Sequence, residues 1–136
     1  MKQAQFTIGV FGIILNSAGN ILLCHRTDID FWNLPGGGVD THETPWNAVL
    51  REIKEETGLE AKVNRLLGVY SKPDVNDLVF LFLCEPIGGK LTLSEESDQL
   101  EYFSIDKLPT NLIPNHLERI QDFIQASELI LKEQTK

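Results

Sequence analysis

The 136-residue chain is poor in the features that mark secreted, zinc-binding and membrane-spanning proteins. Its two cysteines, Cys24 and Cys84, each lie in an apolar run, which predicts reduced core residues in a reducing compartment rather than a disulfide or metal ligands. The apolar run over 6–15 is about half as long as the ~20 residues that a membrane span requires. No basic segment followed by a small-residue cleavage site precedes it. We therefore expect a cytoplasmic protein with a single domain over residues 1–136.

Basic residues are also scarce. The sequence contains 12 lysines and arginines against 20 aspartates and glutamates, for a formal net charge of −8. This balance argues against nucleic acid or an anionic membrane as a partner. It would also oppose a phosphate-bearing substrate, unless a bound cation inverts the field at the site.

Three of these 20 carboxylates fall in a segment that is predicted to be a helix over roughly 44–57. Thr44 is a good N-cap and Pro45 suits the first helical position. Gly58 suits the left-handed residue that ends a helix. A glycine run, 36–38, lies shortly before this helix. On the helical wheel the apolar residues with the spacing of a buried face are Trp46, Val49, Leu50 and Ile53.

Three glutamates of this helix point in similar directions. With about 100° of rotation per residue, Glu56 and Glu55 lie roughly 40° and 60° to either side of Glu52. Like charges at this spacing destabilise a helix slightly, and a divalent cation would reverse that effect. Mg²⁺ takes oxygen ligands, of which only a few usually come from protein. Arg51 lies four residues before Glu55 and can hold that carboxylate in one rotamer.

A plainer interpretation is open for each part of this pattern. A charge-rich helix face is often only solvated, and a run of glycines is often only a turn. The combination is more specific, because a glycine loop, a fixed set of carboxylates and a helix-ending glycine all fall in one short window. We therefore interpret 37–59 as a metal-binding loop and helix.

The segment resembles the signature of the Nudix hydrolases. That signature is Gly, five residues, Glu, seven residues, Arg-Glu, an aliphatic residue, any residue, Glu-Glu, any residue, Gly and an aliphatic residue. Every fixed position is filled, by Gly37, Glu43, Arg51, Glu52, Ile53, Glu55, Glu56, Gly58 and Leu59. The segments 32–35 and 101–109 also resemble parts of this family.

The resemblance implies a Nudix fold of the α/β class, in which a mixed sheet lies between helices as an α/β/α sandwich. It implies hydrolysis of the diphosphate linkage of a small-molecule nucleotide with Mg²⁺ or Mn²⁺ as cofactor, and a homodimer. The implied metal ligands are Glu52, Glu55, Glu56 and the carbonyl of Gly36. The implied catalytic set is Glu52, Arg51 and an acid outside the motif, for which we choose Glu96 over Glu95 and Asp98. The implied loop-positioning residues are Gly37, Glu43 and Gly58, and Arg51 shares that role.

The substrate stays open between two classes. One is a nucleoside diphosphate linked to a sugar or similar group, such as ADP-ribose; the other is a nucleoside triphosphate. Pro73 lies near the position of a proline that marks ADP-ribose members of the family, but the register is off by one. Arg26, Lys72, Phe31 and Trp32 are candidate substrate contacts, and core packing is the alternative for the two aromatic residues. The alternative function is a non-catalytic nucleotide-sensing Nudix module.

Two further details depart from or extend the resemblance. Many Nudix proteins have glycine where His42 stands, and we expect His42 to be a turn residue that faces solvent. The remaining pattern predicts strands over 6–15, 21–26, 61–70 and 78–84, a loop over 27–43, a polar loop over 72–77 and a turn at 88–90. A final helix is predicted over roughly 116–133, with Asn115 and Glu118 as its cap. This order of elements also favours an α/β/α sandwich.

Overall fold

The computed structural model describes residues 3–136, which form two helices and two sheets. The strands are β1 (Thr7–Ile14), β2 (Ile21–Arg26), β3 (Trp32–Asn33), β4 (Gly36–Gly38), β5 (Leu59–Lys72), β6 (Asp77–Gly89), β7 (Ser97–Phe103) and β8 (Ile130–Glu133). The helices are α1 (Pro45–Thr57) and α2 (Pro114–Gln125), with a 3₁₀ turn at Ile105–Lys107.

The larger sheet is mixed and has the order β4-β1-β6-β5-β8. β1 runs parallel to β6, with Thr7 opposite Asp77 and Ile14 opposite Cys84. β5 is antiparallel to β6, and β8 is parallel to β5. The smaller sheet, β3-β2-β7, is antiparallel throughout.

Alternation along β1 divides the core into two layers. Val10 and Ile14 belong to the cluster that contains Val49 and Ile53 of α1, whereas Ile13 belongs to the cluster that contains residues of α2. Because successive side chains of a strand point to opposite faces, the larger sheet lies between the two helices. The predicted α/β fold with a mixed sheet is therefore confirmed. Cys24 and Cys84 are buried and free, as predicted.

Helix α1 begins and ends as the sequence predicts. The Oγ1 atom of Thr44 accepts the N–H of Asn47 at 3.1 Å, and Gly58 adopts the left-handed conformation with φ of 81°. The prediction that Trp46 is buried is wrong, because its side chain is 55% exposed. Trp46 lies in the first turn, where the helix has not yet reached the apolar layer formed by Val49 and Ile53.

The prediction of a final helix over 116–133 is wrong in its second half. Helix α2 ends at Gln125, Ala126 is extended, and the chain then forms β8 beside β5. The predicted cap is wrong too: the N-cap is Ile113, and the side-chain amide of Asn115 donates to the carbonyl of Thr135 instead. The prediction failed because the apolar residues keep helical spacing past Gln125 as far as Leu131, although the helix itself has ended.

Three other boundaries differ from the predictions. The predicted loop over 27–43 contains the short strands β3 and β4. Strands β5 and β6 each extend beyond the apolar residues that predicted them, and Gly88 and Gly89 pair with Glu60 and Leu59 inside the ladder.

Within residues 3–136 the structure has no helix of the length and apolarity that crossing a membrane would need.

Candidate active site

Two glutamates of α1, Glu52 and Glu56, are largely buried, whereas the side chain of Glu55 is 58% exposed. Glu56 is only 7% exposed, in the same helix whose Ala48, Val49 and Ile53 are fully buried. Its Oε2 atom accepts the backbone N–H of Gly36 at 3.0 Å. The acidic face of α1 therefore extends into its packed face at Glu56.

Strand β4 brings the backbone of the glycine run against these carboxylates. β4 pairs with β1, with Gly37 opposite Val10. A Cβ atom added at Gly37 would lie 2.6 Å from the carboxyl carbon of Glu52, whereas one added at Gly38 would have no neighbour within 4 Å. A side chain at position 37 would therefore have to displace the Glu52 carboxylate.

Arg51 connects the helix to the loop that precedes it. Its guanidinium donates to both carboxylate oxygens of Glu43, at 2.7 and 2.9 Å, and to the carbonyl of Gly38 at 3.0 Å. Its Nη1 atom also donates to Glu52 at 2.9 Å and to Glu55 at 3.1 Å. The two-bond contact with Glu43 fixes the loop, since such a pair constrains both distance and orientation. One side chain thus orients three carboxylates.

The protonation properties of the cluster follow from burial and from Arg51. Hydrogen bonds from Arg51 lower the pKa of Glu43 to about 2. Burial raises the pKa of Glu52, although Arg51 opposes the change. Burial also raises the pKa of Glu56 to about 8, and the charges of Glu52, Glu96 and Glu55 raise it further while the Gly36 N–H opposes them. The raised pKa values of Glu52 and Glu56 therefore both oppose full ionisation of the cluster.

A cleft of about 460 Å³ opens beside Glu56, and we call it the acidic cleft. Its lining residues are Phe11, Arg26, Thr27, Asp28, Asn33, Gly36, Gly37, Glu56, Glu96, Ser97 and His116. Arg26 is held by Asp28 through two hydrogen bonds of 2.8 and 2.6 Å. The cleft therefore brings Glu56 and Glu96 together, from α1 and from the turn before β7.

The three candidate acids outside the motif have different surroundings. Glu96 lines the acidic cleft, and within residues 3–136 no hydrogen bond to its carboxylate is present. Asp98 is hydrogen-bonded to Nδ1 of His25 at 2.7 Å. Glu95 is absent from the residues that line the cleft, and its carbonyl accepts from Thr27. The geometry thus favours Glu96 among the three.

The donor chemistry of the cluster fits Mg²⁺ or Mn²⁺. Carboxylate and carbonyl oxygens are the ligands that these cations prefer, and Mg²⁺ usually keeps several waters or phosphate oxygens. Between residues 3 and 136, no three acidic, histidine or cysteine side chains form a ready-made metal cage. Arg51 donates hydrogen bonds to Glu52 and Glu55 at 2.9 and 3.1 Å.

The aromatic candidates for substrate contact lie outside the acidic cleft. Trp32 is 8% exposed and packs edge-on against Phe103 and His25, with ring centroids 4.9 and 5.1 Å away. Trp32 is therefore a core residue, which is the alternative that the sequence left open for it. Phe31 is 39% exposed but does not line the cleft.

A second cleft of about 410 Å³ lies between β1 and α2, and we call it the basic cleft. Its charged lining residues are Lys72, Asp77, Arg119 and Lys136. It meets the acidic cleft at Phe11, Gly37 and His116, which line both. The candidate substrate contact Lys72 therefore lies here, at the end of β5, and not in the acidic cleft with Arg26.

Sequence reasoning missed His116 and Arg119. The Nδ1 atom of His116 accepts the N–H of Leu34 at 3.0 Å, so the ring proton lies on Nε2. Burial, and then the Arg119 charge, hold the pKa of His116 well below its usual range, so the ring is neutral. Their spacing of three residues put both on one face of α2, but their burial depends on β8, which the sequence pattern did not reveal.

Comparison with known proteins agrees with this geometry. The family model for the NUDIX domain matches residues 5–125. The chain belongs to the NUDIX hydrolase family. Its relatives include a Bacillus subtilis protein provisionally named an 8-oxo-dGTP diphosphatase, which is 40% identical over 125 residues, covering 91% of this chain and 84% of the relative. An ADP-ribose pyrophosphatase from Methanocaldococcus jannaschii is also 40% identical over 125 residues, covering 87% of this chain and 73% of the relative.

Solved structures support the fold assignment of this NUDIX hydrolase. The crystal structure of a NUDIX hydrolase from Nitrosomonas europaea superposes with a TM-score of 0.85. That match covers 98% of this chain and 82% of the other at 21% sequence identity, so it supports the fold alone.

Proposed function

We propose that this NUDIX hydrolase is a single-domain, metal-dependent pyrophosphohydrolase that cleaves the diphosphate linkage of a small nucleotide. The observation that carries the proposal is the buried Glu56, which shares a cleft with Glu96 and lies on the same helix face as Glu52. Buried carboxylates with no paired cation are costly, unless a ligand supplies the positive charge. Perturbed carboxylates in a cleft also mark functional sites more often than structural ones.

Glu52, Glu55, Glu56 and the carbonyl of Gly36 would hold Mg²⁺ or Mn²⁺, which would neutralise diphosphate oxygens and acidify a bound water. Arg51 orients Glu52 and Glu55 through the hydrogen bonds already described. Such positioning supplies much of the rate in phosphoryl transfer.

Glu96 would take the proton from the attacking water. Its carboxylate lines the acidic cleft and has no partner in the part of the chain that the structure describes. Glu52 is the alternative base, but its Oε1 atom is already bonded to Arg51. A base must be free to accept a proton within hydrogen-bond reach of water, and this favours Glu96.

The acidic cleft also offers groups for the rest of the nucleotide. Arg26 contributes a positive charge, and the buried Oδ1 of Asn33 has no hydrogen-bond partner among residues 3–136. A substrate group that donates a hydrogen bond would satisfy that oxygen. The relatives are named for 8-oxo-dGTP and for ADP-ribose, which supports a nucleoside triphosphate or a nucleoside diphosphate derivative as the substrate.

Other properties support an enzyme of the cytoplasm that acts on small molecules. Two buried free cysteines suit a reducing compartment. A formal net charge of −8 disfavours nucleic acid and anionic membranes as partners. The homodimer stays a prediction.

The proposal is tested by hydrolysis assays with nucleoside triphosphates, nucleotide sugars and ADP-ribose, each with Mg²⁺ or with EDTA. We expect turnover only with the metal, and a kcat reduced by about 10²-fold or more in Glu56→Gln, the order of loss seen when transition-state charge stabilisation is removed. Glu60→Gln is the matched control, because Glu60 is exposed and pairs with Lys54 outside the cleft. Equal rates in Glu56→Gln and the wild type, with metal present, would refute the assignment.

A further inference from the structure

The basic cleft has a charge opposite to that of the rest of the chain. In a protein with a formal net charge of −8, it is lined by Lys72, Arg119 and Lys136 against one carboxylate, Asp77. The neighbouring acidic cleft has the reverse balance, since Glu56, Glu96 and Asp28 outnumber Arg26 there. A cleft that concentrates positive charge in an acidic protein attracts anions.

The N-terminus of α2 opens into the basic cleft without a cap. Its N-cap residue, Ile113, makes no side-chain capping bond, and Pro114 has no N–H. The first helical bond is donated by Leu117, at 2.9 Å to the carbonyl of Ile113. Within residues 3–136 the backbone N–H groups of Asn115 and His116 therefore have no acceptor, and both residues line the cleft. Such a helix end binds anions through its free N–H groups and its dipole.

Arg119 is the second, independent observation. Its side chain is 1% exposed, yet it forms no ion pair with any described residue. Its Nε atom donates to the neutral amide of Gln134 at 3.1 Å, and its buried Nη1 atom has no hydrogen-bond partner in the described part of the chain. The guanidinium packs over the rings of Phe11 and Tyr70, 5.2 and 5.5 Å from their centroids. A buried charge in this state is costly, and a bound anion would compensate it.

Lys72 is a further cation that can act in this cleft. Its side chain is 17% exposed, and its Nζ atom is 3.6 Å from Asp77, which is itself bonded to Thr7 at 2.7 Å. Asp77 thus pairs with Lys72, and among residues 3–136 no carboxylate forms an ion pair with Arg119. The cleft as a whole therefore stays cationic.

We infer that the basic cleft is a phosphate-binding subsite, formed by Arg119, Lys72 and the free N–H groups at the start of α2. It binds an oxyanion directly, without a metal ion. Because the two clefts meet at Phe11, Gly37 and His116, a substrate whose diphosphate lies in the acidic cleft can place a further phosphate here. The binding of a further substrate phosphate in the basic cleft rests on the proposed function, whereas oxyanion binding there does not.

Removing divalent metal separates oxyanion binding in the basic cleft from the proposed metal-dependent hydrolysis. In EDTA, the acidic cleft repels anions, so inorganic pyrophosphate should bind only at the basic cleft. We expect isothermal titration to show binding to the wild type, and ¹⁵N-resolved NMR to show shifts of the amides of Asn115 and His116. If pyrophosphate does not bind, or if it binds without shifting these amides, the inference is wrong even if the enzyme hydrolyses nucleotides with Mg²⁺.

Substitutions of Arg119 and Lys72 test whether these side chains bind pyrophosphate. Arg119→Met replaces the guanidinium with an apolar chain of similar length and should raise the Kd by roughly 10- to 100-fold, the value of hydrogen bonds to a charged group. Lys72→Gln should raise it by roughly two- to fivefold, as expected for a partly exposed charge. Lys62→Gln is the control, since Lys62 is 57% exposed and pairs with Glu85 elsewhere on the sheet. An unchanged Kd in Arg119→Met would overturn the inference, and the amide shifts of the wild type decide the matter if that variant does not fold.

Discussion

Replacing Glu56 with glutamine should make the metal-free protein more stable at alkaline pH while removing activity. Glutamine keeps the shape of the side chain and an oxygen that can accept the Gly36 N–H. It removes only the charge, which burial and the neighbouring carboxylates oppose. The effect must therefore depend on pH.

The sign and magnitude of this pH-dependent change in stability follow from the pKa of Glu56. The folded state raises this pKa from 4.5 to about 8, so folding is most favoured when the group is protonated. That contribution is complete below the unfolded pKa and is lost as the pH rises toward the folded value. Since each pH unit in this window removes about 1.4 kcal/mol, ionisation costs on the order of 4 kcal/mol by about pH 8. For a chain of this size the loss corresponds to a fall in Tm of roughly 10 °C or more.

The assay is a set of thermal unfolding curves in EDTA at several values between about pH 5 and pH 8. Wild type and Glu56→Gln should have similar Tm values at the acidic end, and the variant should unfold at the higher temperature at the alkaline end. Glu60→Gln, which changes an exposed carboxylate, should follow the wild type. Parallel Tm curves for wild type and Glu56→Gln would refute the reasoning about burial.

Three further outcomes are expected. Gly37→Ala should lower kcat by about tenfold or more, because its Cβ would displace the Glu52 carboxylate; Gly38→Ala, with no neighbour within 4 Å, should retain wild-type kcat, and equal losses would contradict this. His116→Phe should lower the free energy of unfolding in urea by about 1–3 kcal/mol, because the N–H of Leu34 loses its acceptor; an unchanged midpoint would count against that role. Millimolar Mg²⁺ should raise the Tm of the wild type, because the folded state alone presents the ligands; an unaffected Tm would contradict a metal site.

The sequence predicted those parts of the site that depend on local spacing. The bounds of α1 follow from Thr44, Pro45 and Gly58, each of which acts on the backbone next to it. The contact of Arg51 with Glu55 follows from their separation of four residues. These features need no knowledge of the rest of the fold.

The features that the sequence did not predict depend on packing between distant segments. Glu56 is buried because β4 lies against α1, which a helical wheel cannot show. Arg119 is buried because the chain leaves α2 at Gln125 and returns as β8, a change that apolar spacing concealed. Trp46 illustrates the same limit in reverse, because its spacing indicated burial, whereas its position in the first turn of α1 leaves it exposed.

The central claim is that the carboxylates of α1 bind a divalent cation, and Mn²⁺ binding tests it without any assumption about substrate. Titration of the metal-free protein, followed by the electron paramagnetic resonance signal of free Mn²⁺, compares the wild type with the double variant Glu52→Gln/Glu56→Gln. We predict that the wild type removes Mn²⁺ from solution with a defined stoichiometry and that the double variant leaves most of it free. The same free Mn²⁺ signal for both proteins would contradict the account.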